Sequence, residues 1–175
     1  MHREDLARAI RRTAHLTGEF RLRSGVTASE YFDKYQFEAD PGLLREIARH
    51  MASLVPPETE VLAGLELGGV PIAVALALET GLPTAFVRKI AKSYGTCRLS
   101  EGAAVAGRRV LVVEDVVTSG GQVAASTTQL REASAVVFSA LCVIDRESGG
   151  ANALGEIGLP LRSLFTKRDL EEAAI

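Results

Sequence analysis

Hydrophobic and polar positions along the chain divide it into alternating strand-like and helix-like segments. Short apolar runs indicate strands at 61–64, 84–87, 110–113, 135–144 and 161–165. Apolar residues at helical spacing, with Pro and Gly at the ends, indicate helices at 4–16, 41–54, 71–80, 122–131 and 167–174. Because strands alternate with helices, the pattern predicts an α/β fold with an open, mostly parallel sheet flanked by helices.

The N-terminal part shows a different pattern. Residues 20–23 alternate apolar and basic side chains, and residues 31–35 form a second short strand-like run after the turn at Ser24 and Gly25. We therefore predict a small hairpin subdomain, the hood, within residues 18–36. Arg23 lies at its turn, where a solvated edge charge is the ordinary explanation for a basic residue.

Composition restricts the class of protein. The chain has 175 residues, 47% of them hydrophobic and 24% charged, which suits a single globular domain over residues 1–175. The net charge of −2 gives no support to nucleic-acid binding, and no apolar run is long enough to span a membrane. The charged N-terminus and the two separated cysteines, Cys97 and Cys142, predict a cytoplasmic protein without a disulfide framework or a zinc site.

Residues 110–122 carry the most specific chemistry. An apolar strand is followed by Glu114 and Asp115, then by the turn Thr118-Ser119-Gly120-Gly121 and a helix. Backbone N–H groups in such a turn can bind an anion, whereas the carboxylates can accept hydrogen bonds from sugar hydroxyls. The stretch therefore predicts binding of a phosphorylated sugar. The alternative is an ordinary strand, turn and helix with a solvated acidic pair.

Two further loops could bind anions. Gly68 and Gly69 form a turn between a strand and a helix, although a plain tight turn would look the same. Residues 88–107 are long for a connection and carry several basic side chains, which predicts a mobile lid over a phosphorylated substrate. A solvated basic loop is the alternative.

Arg146 directly follows the strand at 135–144. The carboxyl ends of parallel strands bind ligands in open α/β sheets, and the planar guanidinium suits a carboxylate. An exposed ion pair with Asp145 or Glu147 is the alternative explanation.

The stretch 110–122 resembles the phosphoribosyl-diphosphate motif of the type I phosphoribosyltransferases. Residues 18–25 with Tyr31 and Phe32, the Arg-Lys-x-x-Lys core at 88–92, and Asp145-Arg146-Glu147 resemble the orotate phosphoribosyltransferases. The resemblance covers residues 18 to about 170. It implies the type I phosphoribosyltransferase fold and transfer of 5-phosphoribosyl from 5-phosphoribosyl 1-diphosphate to orotate in pyrimidine synthesis.

The resemblance also assigns roles to residues. Glu114 and Asp115 would hold the ribose and, with Lys92 of the mobile catalytic loop 88–107, would be catalytic. The sugar donor would be bound by Arg88, Lys89, Lys92, Tyr94, Glu114, Asp115, Val116, Val117, Thr118, Ser119, Gly120, Gly121 and Gln122. Orotate would be bound by Thr118, Arg146 and Arg23.

The sequence departs from that family at three places: Arg23 replaces the usual Lys, Tyr94 replaces a common His, and Leu67-Gly68 lacks a Lys found in some members. The resemblance implies Mg²⁺ held through substrate and water without direct protein ligands. It also implies a homodimer in which the basic loop serves the neighbouring site. The alternatives are transfer to another nucleobase, or a non-catalytic regulator with the same fold.

Overall fold

The computed structural model describes residues 1–21, 25, 27–90 and 99–173. Its helices are α1 Arg3–Ala14, α2 Lys34–Glu38, α3 Pro41–Ala52, α4 Gly69–Thr80, α5 Gly121–Glu132, α6 Gly150–Glu156 and α7 Lys167–Glu172. Its strands are β1 His15–Arg21, β2 Thr27–Phe32, β3 Val61–Leu65, β4 Thr84–Val87, β5 Ser100–Gly102, β6 Arg109–Val117, β7 Val136–Asp145 and β8 Leu161–Thr166.

In the described residues, six strands form one sheet in the order β5-β4-β3-β6-β7-β8, and β1 pairs with β2 in a separate hairpin. All pairings in the large sheet are parallel except that of β4 with β5. The predicted open, mostly parallel α/β sheet is therefore confirmed. From β3 the chain proceeds to β4 on one side, and from β6 to β7 on the other. The carboxyl ends of β3 and β6 thus flank the point where strand order reverses, the usual ligand site of such sheets.

Apolar side chains fill both faces of the sheet. One cluster joins α1, α3, α4 and α7 to the sheet and includes Ile10, Ile47 and Phe165, all fully buried. The other joins α5 and α6 to the opposite face through Leu130 and Leu154. No helix among the described residues is both long and apolar enough to cross a membrane.

The hood hairpin is present, but its second strand lies earlier in the chain than predicted, at Thr27–Phe32. The strand prediction for 31–35 is wrong beyond Phe32, because Asp33 begins a short helix there. The Asp33 carboxylate accepts a hydrogen bond from the Tyr35 N–H at 3.1 Å, a side-chain cap that satisfies a backbone donor. The chain consequently turns inward, and the buried Phe37 and Glu38 face the sheet.

The two carboxylates at 114 and 115 do not end their strand. Strand β6 continues to Val117, where it still pairs with Asp145 of β7. The 88–107 connection contains β5, a short antiparallel edge strand, and residues 91–98 of that connection lie outside the described residues.

Candidate active site

The phosphate-binding turn predicted at 118–121 lies at the carboxyl end of β6. Thr118 and Ser119 are exposed, and Gly120, with φ of 77°, precedes the first residue of α5. A left-handed backbone at Gly120 suits glycine, which has no Cβ to strain. Gly150 of α6 packs against the Thr118 carbonyl, so the turn is supported from behind. The free N–H groups at the start of α5 therefore face the open edge of the sheet and can bind an anion.

Val116 and Val117, predicted to belong to the same phosphate site, have their backbone groups engaged in the sheet. The Val116 N–H donates to Asp115 Oδ1, and the Val117 carbonyl accepts from the Arg146 N–H at 2.9 Å. Gln122, in the first turn of α5, donates to Ser126 Oγ at 3.1 Å. The exposed residues Thr118, Ser119 and Gly121 are thus the part of the predicted cradle open to a ligand.

The acidic pair is more enclosed than a solvated pair would be. Glu114 is 9% exposed and Asp115 is 0% exposed. Glu114 Oε1 accepts a hydrogen bond from the Asp115 N–H at 3.0 Å. Carboxylates as buried as these need partners, because leaving them unpaired in a low-dielectric site is costly.

The partners come from α2, which sequence reasoning missed. Lys34 Nζ lies 2.5 Å from Asp115 Oδ2, and Glu38, 8% exposed, lies against the same carboxylate. Because residues four apart share one face of a helix, Lys34 and Glu38 approach Asp115 together. The available signal was Asp33, a good helix-capping residue, followed by a Lys and a Glu at helical spacing.

Burial beside Asp115 raises the pKa values of Glu38 and Glu114. Burial, together with the hydrogen bond and charge of Asp115, raises the pKa of Glu38 to about 9. Burial and the neighbouring Asp115 raise the pKa of Glu114 to about 8. Burial opposes the charged form of Lys34, but the ion pair with Asp115 raises the Lys34 pKa overall. The raised pKa values favour the protonated forms of the two glutamates, and Lys34 and Asp115 form an ion pair beside them.

The Gly68-Gly69 turn at the end of β3 packs directly onto this cluster. A Cβ added at Gly68 would collide with the carboxylate of Asp115 and would lie 2.9 Å from Glu38 Oε1. Beside the turn, Glu66 accepts a hydrogen bond from the Lys89 N–H at 3.0 Å. The structure thereby brings the second predicted anion turn and the start of the basic loop next to the acidic pair. The peptide bond between Glu66 and Leu67 is cis.

Arg146 lies across the sheet edge from these turns, directly after β7. Its guanidinium carbon is 5.6 Å from the centre of the Phe32 ring, and it makes no ion pair with Asp145 or Glu147 in the described part of the chain. Glu147 instead pairs with Arg168 at 3.9 Å. The alternative explanation of Arg146, a local ion pair with Asp145 or Glu147, therefore does not occur in the described residues. Its role in ligand binding stays a prediction.

A cavity of about 380 Å³ opens beneath the hood next to Arg146. Its lining includes Tyr31 and Phe32 from β2, and it carries both basic and acidic groups: Arg11, His15, Lys167, Glu30 and Glu171. Glu30 lies 3.3 Å from His15, and Glu171 lies 3.5 Å from Lys167, so these charges are paired with one another. Sequence reasoning did not select these five residues. An aromatic wall beside the guanidinium of Arg146 suits a flat ring that carries a negative group.

The remaining predicted site residues belong to the basic loop and the hood turn. Arg88 lies at the end of β4, with its guanidinium 4.0 Å from Glu101, and Lys89 is exposed. Arg23, Lys92 and Tyr94 lie outside the described residues. Among the described side chains, no group of three His, Cys, Asp or Glu residues could hold a metal ion. Asp115, the most buried carboxylate of the site, is paired with Lys34.

Comparison with known proteins agrees with this geometry. Residues 35–154 match the family model described as phosphoribosyl transferase domain. An orotate phosphoribosyltransferase from Nocardioides sp. is 53% identical over 168 residues, which is 96% of this chain and 94% of that protein. The orotate phosphoribosyltransferase from Halobacterium salinarum is 44% identical over 97% of both chains.

Solved structures give the same result. The Mycobacterium tuberculosis orotate phosphoribosyltransferase in complex with 5-phospho-α-D-ribosyl 1-diphosphate aligns with a TM-score of 0.83 and 31% identity, covering 97% of this chain and 98% of that chain. The family model covers most of this chain, and these relatives match it over nearly its whole length. The chain therefore belongs to the phosphoribosyltransferase family, as one of its orotate phosphoribosyltransferases.

Proposed function

We propose that this chain transfers the 5-phosphoribosyl group from 5-phosphoribosyl 1-diphosphate to orotate, giving orotidine 5′-monophosphate and diphosphate. One arrangement carries the proposal. The acidic pair lies near the carboxyl end of β6, the phosphate turn follows that strand, and Arg146 directly follows the adjacent β7. Sugar, phosphate and base can then bind side by side along one edge of the sheet.

The donor would lie across the two turns. Its 5′-phosphate would accept hydrogen bonds from the N–H groups of the turn at 118–121, at the start of α5. Its ribose hydroxyls would lie on Glu114 and Asp115. Its diphosphate would reach the Gly68-Gly69 turn, with Arg88, Lys89 and Lys92 supplying positive charge. Lys92 and Tyr94 are assigned here by family resemblance alone.

The base would occupy the cavity beneath the hood. Arg146 would bind the orotate carboxylate, and Phe32 would lie against the ring. Thr118, exposed beside the end of β7, is placed to contact the base as well, and Arg23 is assigned by resemblance. A charge-assisted, forked contact favours a carboxylated pyrimidine over a neutral base.

Catalysis would be electrostatic. As the base nitrogen bonds to C1 of the ribose and the diphosphate leaves, positive charge builds on the ribose and negative charge on the leaving group. Asp115 would stabilise the former, and the basic loop the latter. Mg²⁺ would arrive with the substrate, without direct ligands from the protein, and would supply neutralisation of part of the diphosphate charge.

A homodimer fits the outer face of α4. Val74, Leu78 and Phe86 are large apolar side chains exposed by 40%, 84% and 37%. Phe86, on β4, lies two residues before Arg88, the first residue of the basic loop. A second copy packed against this face would therefore contact that loop. We propose that the copies pair here and that the loop at 88–107 closes over the neighbouring site. Placement in the cytoplasm stays a prediction.

One assay tests the proposed reaction. Orotate absorbance should fall when the protein is supplied with the sugar donor and Mg²⁺, and should stay constant when a chelator is added. A protein that binds the donor but leaves orotate unchanged would favour the alternative of another base. A protein that binds neither substrate would favour a non-catalytic regulator.

A further inference from the structure

Helix α2 places a lysine and a glutamate against the buried end of the ribose-binding pair. Lys34 Nζ is 2.5 Å from Asp115 Oδ2, and the Lys34 side chain is 32% exposed while that of Asp115 is 0% exposed. Apart from this ion pair, neither Asp115 Oδ2 nor Glu38 Oε1 has a hydrogen-bond partner in the described residues. These two oxygens are therefore the natural partners of one another.

Asp115 cannot adopt this position without help. A fully buried carboxylate that loses its cation either takes up a proton or turns toward water. Either change would remove an acceptor from the ribose hydroxyls. Lys34 holds the carboxylate in this position through their ion pair, and a protonated Glu38 can donate a hydrogen bond to it from the same helix face.

Asp115 and Glu38 also contact the Gly68-Gly69 turn, where the diphosphate of the donor would bind. Gly68 lies over Asp115 and Glu38 so closely that a side chain there would collide with both. Helix α2 directly follows the hood strand β2, whose Phe32 lines the base cavity. The hood, the diphosphate turn and the ribose carboxylate are thereby joined through Lys34 and Glu38.

We propose that Lys34 and Glu38 are positioning residues for the sugar donor: Lys34 holds the Asp115 carboxylate in place through their ion pair, and Glu38, as a hydrogen-bond donor, fixes its orientation. The proposal rests on the proposed function, since it assigns Asp115 to the ribose. It predicts a selective loss of donor binding, because neither residue reaches the base cavity lining.

The test compares variants of Lys34 and Glu38 by separate KM values for donor and orotate. Lys34→Met should raise the donor KM by roughly tenfold or more, the effect of losing a charge-assisted hydrogen bond, with little change in orotate KM. Glu38→Gln keeps a hydrogen-bond donor of the same shape and should stay near wild type. Glu38→Leu removes the donor and should raise the donor KM. Arg45→Met, an exposed charge on α3, is the matched control.

Several results would overturn the proposal. An unchanged donor KM in Lys34→Met, equal damage to both substrates, or Glu38→Gln as impaired as Glu38→Leu would each do so. If Lys34→Met does not fold, the two Glu38 variants decide the question. Stabilisation against heat by the donor alone separates this proposal from the reaction itself. A wild type that is stabilised but does not consume orotate would contradict the proposed reaction while still allowing the comparison of variants.

Discussion

Arg146 is placed to choose the base. Its guanidinium lies over Phe32 and is not engaged by the neighbouring carboxylates in the described part of the chain. Arg146→Ala should raise the orotate KM by roughly ten- to hundredfold, since a charge-assisted hydrogen bond contributes about 1.5–3 kcal/mol. The donor KM should change little. Steady-state kinetics with each substrate varied in turn gives both values.

Arg168→Ala is the control for that variant, because the Arg168 side chain on α7 is 75% exposed and its guanidinium pairs with Glu147, next to Arg146 in the chain. It should leave both KM values near those of the wild type. Equal loss of affinity for donor and orotate in Arg146→Ala would indicate that Arg146 supports the loop and does not select the base.

The raised pKa of Glu38 makes the stability of the folded protein depend on pH. Burial and the adjacent Asp115 raise the pKa of Glu38 in the folded state to about 9, whereas an unfolded glutamate titrates near its ordinary value of 4.5. The folded state therefore keeps a proton that the unfolded state loses. Its contribution to stability is full at low pH and declines as the pH rises from about 4.5 toward 9. Lys34, Asp115 and Glu114 are the charged groups that face it.

Glu38→Gln removes that proton linkage. The fall in the free energy of unfolding between about pH 5 and about pH 8 should be smaller in this variant than in the wild type. Urea unfolding at both pH values measures it, with the exposed Glu132→Gln as the control. Parallel pH dependence in wild type and Glu38→Gln would show that Glu38 is ionised in the folded protein.

Helix α4 has apolar residues on more than its core-facing side. Ile72, Ala73 and Leu76 are buried against the sheet, while Val74 and Leu78 face outward. Leu78→Lys should convert a dimer to a monomer, because a buried unpaired charge at an interface opposes association. Light scattering during gel filtration gives the mass. Ile157→Lys, at an exposed apolar position directly after α6, should leave the mass unchanged.

A wild-type protein that is monomeric at working concentration would contradict the dimer before any variant is made. A Leu78→Lys protein that keeps the wild-type mass would place the interface elsewhere.

The regular elements could be predicted wherever periodicity was strong. Strand β4 has the predicted bounds, and β3, α3 and β8 differ by one or two residues at an end. Helix α2 was missed because it has five residues, too few for a 3.6-residue period to show. The predicted strand β6 was too short because charged residues rarely occupy a buried strand. Here Lys34 pairs with Asp115, and burial raises the pKa of Glu114.

Part of the site could be predicted because it lies at or near the carboxyl ends of strands, where chain order and parallel pairing fix positions. This part comprises the turn after β6, the acidic pair near the end of β6, and Arg146 after β7. The residues that hold Asp115 come from a distant part of the chain. Only the fold brings Lys34 and Asp115 together, because no local sequence pattern predicts a contact between residues so far apart in the chain.

The whole molecule should work as a pair of chains if the basic loop serves the neighbouring site. Lys92→Ala and Arg146→Ala should each be nearly inactive alone. Mixed, unfolded and refolded together, they should form mixed dimers in about half of the population, each with one intact site. Recovery of roughly a quarter of the wild-type activity follows from that count.

If each loop serves its own chain, every site in the mixture keeps one defect, and mixing recovers nothing. A monomer would give that result too, so the mass in solution is measured on the same samples. Recovery near the expected level together with a dimer mass would establish the shared site.

The account depends most on the claim that the site selects a carboxylated pyrimidine for transfer of phosphoribosyl. Wild-type protein is supplied with the donor, Mg²⁺ and an equimolar mixture of orotate, uracil and hypoxanthine, and the nucleotide products are separated. The account predicts orotidine 5′-monophosphate as the dominant product. Uracil lacks the carboxylate that Arg146 would bind, and hypoxanthine lacks both that carboxylate and the single-ring shape of a pyrimidine. A uracil or hypoxanthine nucleotide as the main product would contradict it.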